Sequence, residues 1–245
     1  MKANTKIYGI RAVMEALQSN SPINKIYLQK GLQGDLFKEL EYVARKMSVS
    51  ISYVPLEKLN KFTKNNHQGA VADISPIAFR NFEELIEEII AKNDAPLILL
   101  LDAVSDVRNF GAIIRTAECS GVDAIVIPKS GSAPINNDTV KTSAGAVFNI
   151  PIAKVDHLKD ALFYLQSSGV TLLGATEKSE KLLYDVDLSG SLALVMGAED
   201  KGISPSILKM MDHSAKLPMK GEISSLNVSV ACGAFLFEVV RQRLS

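Results

Sequence analysis

The chain has 245 residues, of which 47% are hydrophobic, so it is long enough for one large or two modest domains with buried cores. Lysine and arginine number 27, and so do aspartate and glutamate, which excludes a uniformly basic nucleic-acid-binding protein. The charge is uneven, however, because residues 1–80 hold 12 basic and 6 acidic side chains, which leaves 15 and 21 in the rest. We expect an anionic partner to meet the N-terminal part first.

The cysteines and the hydropathy pattern indicate the cellular compartment. Cys119 and Cys232 lie far apart in apolar helical contexts, with no second cysteine or histidine at ligand spacing. We therefore predict two reduced core thiols, no metal site and a reducing compartment. The N-terminus lacks the apolar core of a signal peptide, and the longest apolar run, Pro96–Leu101, is too short to cross a bilayer. A cytoplasmic protein is expected.

The first 78 residues predict a small α/β domain. Hydrophobic spacing predicts helices over residues 9–20, 35–47 and 55–62, and strands over residues 24–29, 50–54 and 69–75. A polar, basic turn, TKNNHQG, precedes the last of these strands. Residues 79–95 hold a charged helix that we interpret as a connection.

From residue 96 onward, apolar strands alternate with helices. Strands are predicted over residues 96–102, 123–128, 149–155, 170–176 and 191–197, and helices over 109–121, 157–169, a short stretch after Ser204 and the C-terminus. This order predicts a mostly parallel sheet covered on both faces. The sequence therefore predicts two α/β domains, residues 1–78 and 96–245, joined by residues 79–95.

Three loops of the second domain carry polar residues at places where ligands bind, outside the carboxyl ends of parallel strands. The first holds Asn109, a candidate helix cap, with Arg115 six residues later. The second follows the strand that ends at Gly197, and the third precedes the last helix. Capping and strand-end turns explain each loop taken alone. Neither a GxGxxG fingerprint nor a Walker motif is present, which argues against a dehydrogenase or a nucleoside-triphosphate site.

Together the three loops are much more informative. Asn-x-Gly-x-x-x-Arg-Thr-Ala, Met-Gly-x-Glu-x-x-Gly, and Leu-Pro-Met followed by Ser-Leu-Asn-Val-Ser resemble, in this order, the three motifs of the SpoU, or TrmH-type, RNA 2′-O-ribose methyltransferases. The resemblance covers residues 96–243. The segments IYGIRAV and HQGAVADI are similar to the start and end of the small ribosomal-protein-like RNA-binding domain of the bacterial branch that methylates a guanosine of large-subunit ribosomal RNA. The departures are minor: LPM replaces the commoner isoleucine version, and Asp200 and Lys201 occupy variable positions.

The resemblance implies a fold, a cofactor and an assembly. The second domain would be a deep trefoil knot, an exception to the rule that chains do not thread their own loops. S-adenosylmethionine would be held bent by the knotted loops, with contacts around Gly197, Leu217, Met219 and Leu226. Homodimers whose active sites lie near the subunit interface are typical of the family. The apolar Phe235, Leu236, Val239 and Val240 of the last helix suit such an interface and an ordinary core equally well.

The resemblance also implies a catalytic set centred on Arg115, with Asn109, Glu199, Ser225 and Asn227 around it. Methyl transfer to a ribose hydroxyl needs alignment and the removal of a proton. Because arginine stays protonated, we favour Arg115 as a cation that holds the adjacent phosphate and stabilises developing charge. In the other interpretation, a phosphate helps Arg115 to act as the base. Ser225 and Asn227 would position the arginine or the ribose, and Glu199 would order its loop.

The basic N-terminal domain is interpreted as an RNA clamp. Its candidate contact residues are Arg11, Lys61, Lys64, Asn66, His67 and Gln68. The alternative is an ordinary solvated basic surface.

The leading functional hypothesis is an enzyme that methylates a guanosine ribose of 23S ribosomal RNA. Within the same class, the substrate could instead be transfer RNA or an adenosine of ribosomal RNA. From a different class, the chain could be a catalytically silent RNA-binding assembly factor, and the presence of all five catalytic candidates argues against that hypothesis.

Overall fold

A computed structural model describes residues 6–19, 21–222 and 225–244. The chain divides into two compact units. The first contains the described residues up to Ala78 together with Pro134–Asn137, and the second contains Phe79–Ala133 and the described residues from Asp138 onward.

The first unit is a four-stranded sheet with three helices. Its elements are β1 (Lys6–Tyr8), α1 (Ile10–Gln18), β2 (Ile23–Gln29), α2 (Asp35–Lys46), β3 (Ile51–Val54), α3 (Leu56–Phe62) and β4 (Ala70–Ile74). The strand order is β1-β4-β2-β3, with β4 antiparallel to β1 and β2, and with β2 parallel to β3. The amphipathic helices α1 and α2 bury Leu17 and Leu40 against Ile26 and Leu28 of the central strand, which places the core between helices and sheet.

The described residues from Phe79 onward hold a six-stranded sheet and six further helices. The strands are β5 (Leu97–Asp102), β6 (Ala124–Pro128), β7 (Ile152–Val155), β8 (Thr171–Ala175), β9 (Leu192–Gly197) and β10 (His213–Ala215). The helices are α4 (Phe82–Lys92), α5 (Val107–Cys119), α6 (Asn137–Thr142), α7 (Leu158–Ser167), α8 (Pro205–Leu208) and α9 (Val228–Arg243). Short 3₁₀ helices lie at Ala146–Phe148 and Leu183–Asp185.

The six-stranded sheet is parallel throughout, with the order β10-β8-β9-β5-β6-β7. The central strands β5 and β9 are buried almost along their whole length, as a sheet covered on both faces requires. The predicted α/β class and parallel sheet are confirmed, and the trefoil knot stays a prediction. Among the described residues, no helix combines the length and the apolar character needed to cross a membrane.

Three short elements and one cysteine differ from the sequence-based expectation. The prediction omitted β1, β10 and α6, which are too short to show a clear hydrophobic period. Helix α4, interpreted as a connection, packs Leu85 and Ile86 into the core of the second unit. Cys232 is buried as predicted, and its burial raises the thiol pKa to about 12. Cys119 is exposed at the end of α5, so the prediction of a second core thiol is wrong.

Candidate active site

The loops after β5 and β9 leave the sheet at the same edge, because the two strands are parallel neighbours. Asp102 pairs in register with Gly197, and the Asp102 carboxylate accepts a 2.7 Å hydrogen bond from the backbone N–H of Ser204. This bond ties the loop after β9 to the end of β5. Sequence reasoning missed Asp102, although a carboxylate that ends an apolar strand at the ligand-binding edge was a usable signal.

Side chains from three separate segments form one hydrogen-bonded group at this edge, which we call the catalytic cluster: Asn109, Glu199 and Asn227. The Asn109 amide nitrogen donates to Glu199 Oε2 over 2.9 Å. The Asn227 amide nitrogen donates to Asn109 Oδ1 and to Glu199 Oε1, over 3.0 Å in each case. Three of the five catalytic candidates are therefore in direct contact.

The backbone of α9 determines the direction of these hydrogen bonds. Asn227 is the N-cap of α9, and its side-chain oxygen accepts from the Ser229 N–H over 3.0 Å and from the Ser229 hydroxyl over 2.6 Å. Its nitrogen must therefore face Asn109 and Glu199. Asn109 accordingly turns its oxygen to Asn227 and its nitrogen to Glu199. Helix capping and site organisation are thus two functions of a single side chain.

Asn109 does not cap α5, as the sequence had suggested. Asp106 is the N-cap, and its carboxylate accepts hydrogen bonds from the N–H groups of Arg108, over 2.9 Å, and Asn109, over 2.8 Å. The helix therefore begins at Val107, and the Asn109 side chain is available to the catalytic cluster. The acidic cap was missed because the predicted helix began too late.

A cleft of about 260 Å³ lies beside the catalytic cluster and shares Glu199 with it. All four residues predicted to bind a cofactor line the cleft, as does the catalytic candidate Ser225: Gly197, Leu217, Met219, Leu226 and Ser225. Residues from the loop after β8, Thr176, Glu177 and Lys178, also line it and were not predicted. Met219 and Leu226 are 39% and 41% exposed, which is unusual for large apolar side chains unless a ligand covers them.

Gly197 is required for a reason that the sequence did not reveal. A Cβ atom at this position would lie 2.0 Å from the carbonyl carbon of Gly202 and 2.1 Å from the nitrogen of Ile203. The Gly202 N–H donates to the Ala198 carbonyl over 2.8 Å, which closes a tight turn directly over Gly197. The absence of a Cβ atom at Gly197 therefore leaves space for the backbone of Gly202 and Ile203. This tight turn forms part of the wall of the cleft.

Arg115 lies apart from the catalytic cluster within a single chain. Arg115 follows Asn109 by six positions, so the two side chains leave α5 in directions about 120° apart around the helix axis. Arg115 is exposed and makes no hydrogen bond or ion pair with any described residue. It also does not line the cleft.

The RNA-binding candidates lie in the first unit, where all but one are exposed. Arg11, Lys61, Lys64, Asn66 and Gln68 are exposed, whereas His67 is only 7% exposed. The Gly69 N–H donates to His67 Nδ1 over 3.0 Å, and His67 Nε2 lies 3.0 Å from Asn60 Oδ1. Because both ring nitrogens are occupied, we revise the role of His67 from RNA contact to support of the turn.

Family comparisons agree with this geometry. Residues 96–237 match the SpoU rRNA Methylase family, and residues 6–80 match a domain described as RNA 2′-O ribose methyltransferase substrate binding. The chain belongs to the SpoU rRNA methylase family. A SpoU relative from Vibrio cholerae, named 23S rRNA (guanosine-2′-O-)-methyltransferase RlmB, is 38% identical over 245 residues, which cover 99% of both chains.

Two solved methyltransferase structures share the fold. The methyltransferase AviRb from Streptomyces viridochromogenes, in complex with AdoMet, has a TM-score of 0.61 and 22% identity, over 98% of this chain and 90% of that one. An AdoMet-bound rRNA methyltransferase from Sinorhizobium meliloti has a TM-score of 0.63 and 24% identity, over 98% of this chain and 88% of that one. At these identities, the likeness establishes the fold alone.

Proposed function

We propose that this SpoU-family protein transfers a methyl group from S-adenosylmethionine to the ribose 2′-hydroxyl of a guanosine in 23S ribosomal RNA. The observation that carries the proposal is the catalytic cluster, which borders a partly apolar cleft at the carboxyl edge of the sheet. The activity named for the Vibrio cholerae relative supports the choice of substrate. A ribosomal RNA substrate in turn favours the cytoplasm as the location.

The chemistry of the cleft fits S-adenosylmethionine. Leu217, Met219 and Leu226 offer apolar contacts for an adenine ring. The cleft also holds carboxylates and ammonium groups, which suit a ligand that bears charges of both signs: Glu177, Glu199, Asp200, Lys178, Lys201 and Lys216. Its volume of about 260 Å³ lies just below the range of about 300–1,000 Å³ common for small-molecule sites. When bound, the cofactor supplies a methyl group activated by a positively charged sulfur.

The catalytic cluster acts as a positioning device in this proposal. The Glu199 carboxylate accepts hydrogen bonds from two amides, so its role is to order the loop after β9 beside the cleft. Asn227 couples that loop to the start of α9, where Ser225 lines the cleft and is exposed. Ser225 would position the ribose, so that its 2′-hydroxyl lies in line with the methyl group.

Arg115 completes the site from a second subunit in a homodimer. Its exposure and its angular separation from Asn109 support an action in trans, in which the guanidinium binds the neighbouring phosphate and stabilises charge on the reacting oxygen. Of the interface candidates on α9, Phe235, Leu236 and Val239 are buried within the chain. The opposite stripe of α9 exposes Val230 at 56% and Phe237 at 51%, and this stripe suits a dimer interface.

The test is transfer of labelled methyl groups from S-adenosylmethionine to ribosomal RNA isolated from a strain that lacks the gene. We expect label on the ribose of one guanosine, located by mapping the modified nucleotide. Cofactor binding without transfer to naked RNA, ribosomal precursor particles or transfer RNA would refute the proposal and favour an assembly factor.

Subunit mixing tests the action in trans. Arg115→Ala and Asn227→Ala each inactivate a homodimer, but a mixed dimer holds one site with an intact cluster and an intact partner arginine. Mixing the two variants after dissociation should therefore restore roughly a quarter of wild-type activity. If subunit exchange is verified and the mixture stays inactive, a contribution from the partner subunit is refuted.

A further inference from the structure

The first unit contains a concave surface that the proposed reaction does not use. The turn before β4 faces the end of β2 and the helix α3, and together they line an open concavity of about 610 Å³. We call this the amide pocket, after the polar side chains that line it: Gln29, Asn60, Asn66 and Gln68. Gly69 allows this close approach, because a Cβ atom there would lie 2.4 Å from Leu32 Cδ2.

Backbone donors determine how two of these amides are oriented. Gln68 has φ of +50°, and its side-chain oxygen accepts from the Ile10 N–H at the start of α1 over 3.3 Å. The Asn66 oxygen accepts from the Gln68 N–H over 3.3 Å. A backbone N–H can only donate, so the accepting atoms are the side-chain oxygens: that of Gln68 faces the start of α1, and that of Asn66 faces the turn. Their NH₂ groups make no hydrogen bond with any described residue.

Asn60 is oriented in the same way, but through the imidazole ring of His67. The Gly69 N–H donates to His67 Nδ1, so the proton of the neutral imidazole is on Nε2. That N–H faces the Asn60 oxygen at 3.0 Å, which leaves the Asn60 NH₂ group available. Three amides of the pocket therefore present donors, and Lys64 adds an ammonium group at the same surface.

Because the pocket presents more donors than acceptors, it favours a ligand whose edge carries hydrogen-bond acceptors. Guanine presents two adjacent acceptors, O6 and N7, whereas adenine pairs N7 with an NH₂ donor and cytosine presents an NH₂ donor. Asn65 differs from the other amides, because its nitrogen donates to the Tyr8 hydroxyl over 2.7 Å and its oxygen can accept an N–H from the base. Leu32 and Leu56 supply apolar walls for the flat faces of a ring.

The composition of the pocket favours a base over a phosphate. Phosphate sites in RNA-binding proteins depend mainly on positive charge, and Lys64 is the one cation that lines the described pocket. Neutral amides read base edges, and RNA sequence is read mostly on unpaired bases. We propose that the amide pocket binds the O6 and N7 edge of an unpaired guanine in the substrate RNA. This inference rests on the proposed function in taking RNA as the ligand.

The test uses the full chain and the ribosomal RNA fragment that contains the methylated guanosine. Each unpaired guanosine of the fragment is replaced in turn by 7-deazaguanosine, which lacks N7, or by inosine, which keeps O6 and N7. At one position, 7-deazaguanosine should weaken binding about tenfold, whereas inosine should bind like guanosine. Equal affinity for 7-deazaguanosine and guanosine at every position would overturn the proposal.

Isosteric variants separate recognition from folding. Asn66→Asp and Gln68→Glu keep the oxygen that each turn requires and replace the NH₂ donor by an acceptor. Gln33→Glu is the matched control, since Gln33 is exposed in the same unit, lies outside the pocket and undergoes the same charge change. In the pocket variants, the discrimination between guanosine and 7-deazaguanosine should vanish while thermal unfolding is unchanged.

The control distinguishes recognition from general repulsion. Added negative charge weakens RNA binding everywhere, but it leaves the preference for guanosine intact unless the contact itself is lost. Discrimination that persists in both pocket variants would overturn the proposal. Methyl transfer by the wild-type protein is measured separately, so a failed guanine site and a failed proposed function give different results.

Discussion

The catalytic cluster and the amide pocket both orient amide side chains through hydrogen bonds from backbone N–H groups. They differ in whether the amide nitrogens also have hydrogen-bond partners. In both, backbone N–H groups capture the oxygens of asparagine or glutamine side chains and thereby determine where the nitrogens point. In the catalytic cluster, the Asn109 and Asn227 nitrogens return to Glu199, so this set of hydrogen bonds is closed. In the amide pocket, the Asn66 and Gln68 nitrogens make no hydrogen bond with any described residue, so this set is open.

The difference indicates two uses of amide side chains. A closed set of mutual hydrogen bonds holds three segments in register, which suits the positioning of a cofactor and a ribose. An open set presents preoriented donors at little entropic cost, which suits the reading of a ligand. Each use can be disrupted separately.

The largest expected effect lies outside both groups. Arg115→Ala should lower the rate of methyl transfer by about 10²–10³-fold, because a charge that stabilises the reacting oxygen is lost. Folding should be unaffected, since the side chain is exposed and contacts no described residue through hydrogen bonds. Single-turnover kinetics and thermal unfolding measure the two properties.

The control is Arg108→Ala, which removes an exposed cation seven residues earlier, on the same face of α5. Its effect on single-turnover rate should be small. An equal loss for both variants would show that general positive charge, not a specific arginine, is required.

Opening the closed cluster should have the next largest effect. Asn227→Asp keeps the oxygen that caps α9 but places a second carboxylate against Glu199, whose 3.0 Å contact with the Asn227 nitrogen becomes repulsive. We expect a loss of activity of about 10²-fold, while the cap of α9 is kept. Asn227→Ala should lose activity and also about 1 kcal/mol of stability, because the cap is removed as well. Full activity in Asn227→Asp would refute the positioning role.

The turn of the amide pocket can be tested through Gly69. Gly69→Ala should destabilise the protein by about 1–3 kcal/mol, because it adds a contact of 2.4 Å with Leu32 to the strain of a φ of +81°. Gly31→Ala is the matched control, with a φ of +78° and open space around the new methyl group. Denaturant unfolding compares the two variants, and equal destabilisation would show that the close approach is unimportant.

The smallest effect concerns the two thiols, which report on the helices that carry the catalytic cluster. At neutral pH a thiol reagent should label Cys119 at the end of α5 and leave Cys232 in α9 unlabelled until the protein unfolds. Burial raises the Cys232 pKa to about 12 from 9.0. The unfolded state therefore loses this proton first, and stability should fall as the pH rises from 9.0 towards 12. Rapid native labelling of Cys232 would contradict this packing.

Comparison of sequence and structure shows which inferences depended on local pattern. The apolar runs that became β5 and β9 predicted a buried parallel sheet because burial on both faces removes polar alternation. Three ordered motifs carried the family assignment and named Asn109, Glu199 and Asn227 before any contact was known. The cap of α5 was misjudged, and the backbone turn packed against Gly197 was missed, because neither contact is recorded in the local pattern.

The sequence by itself determined the residue types, the order of helices and strands, and the family, since these are written in hydrophobic period and motif spacing. Only the tertiary structure decided which amide oxygens accept hydrogen bonds from the protein and which amide nitrogens have no partner among the described residues. It also buried His67. Asn109 and Asn227 are 118 positions apart in the sequence, and their hydrogen bond forms only when the packed sheet brings the two segments together. A local sequence pattern contains no information about such a contact.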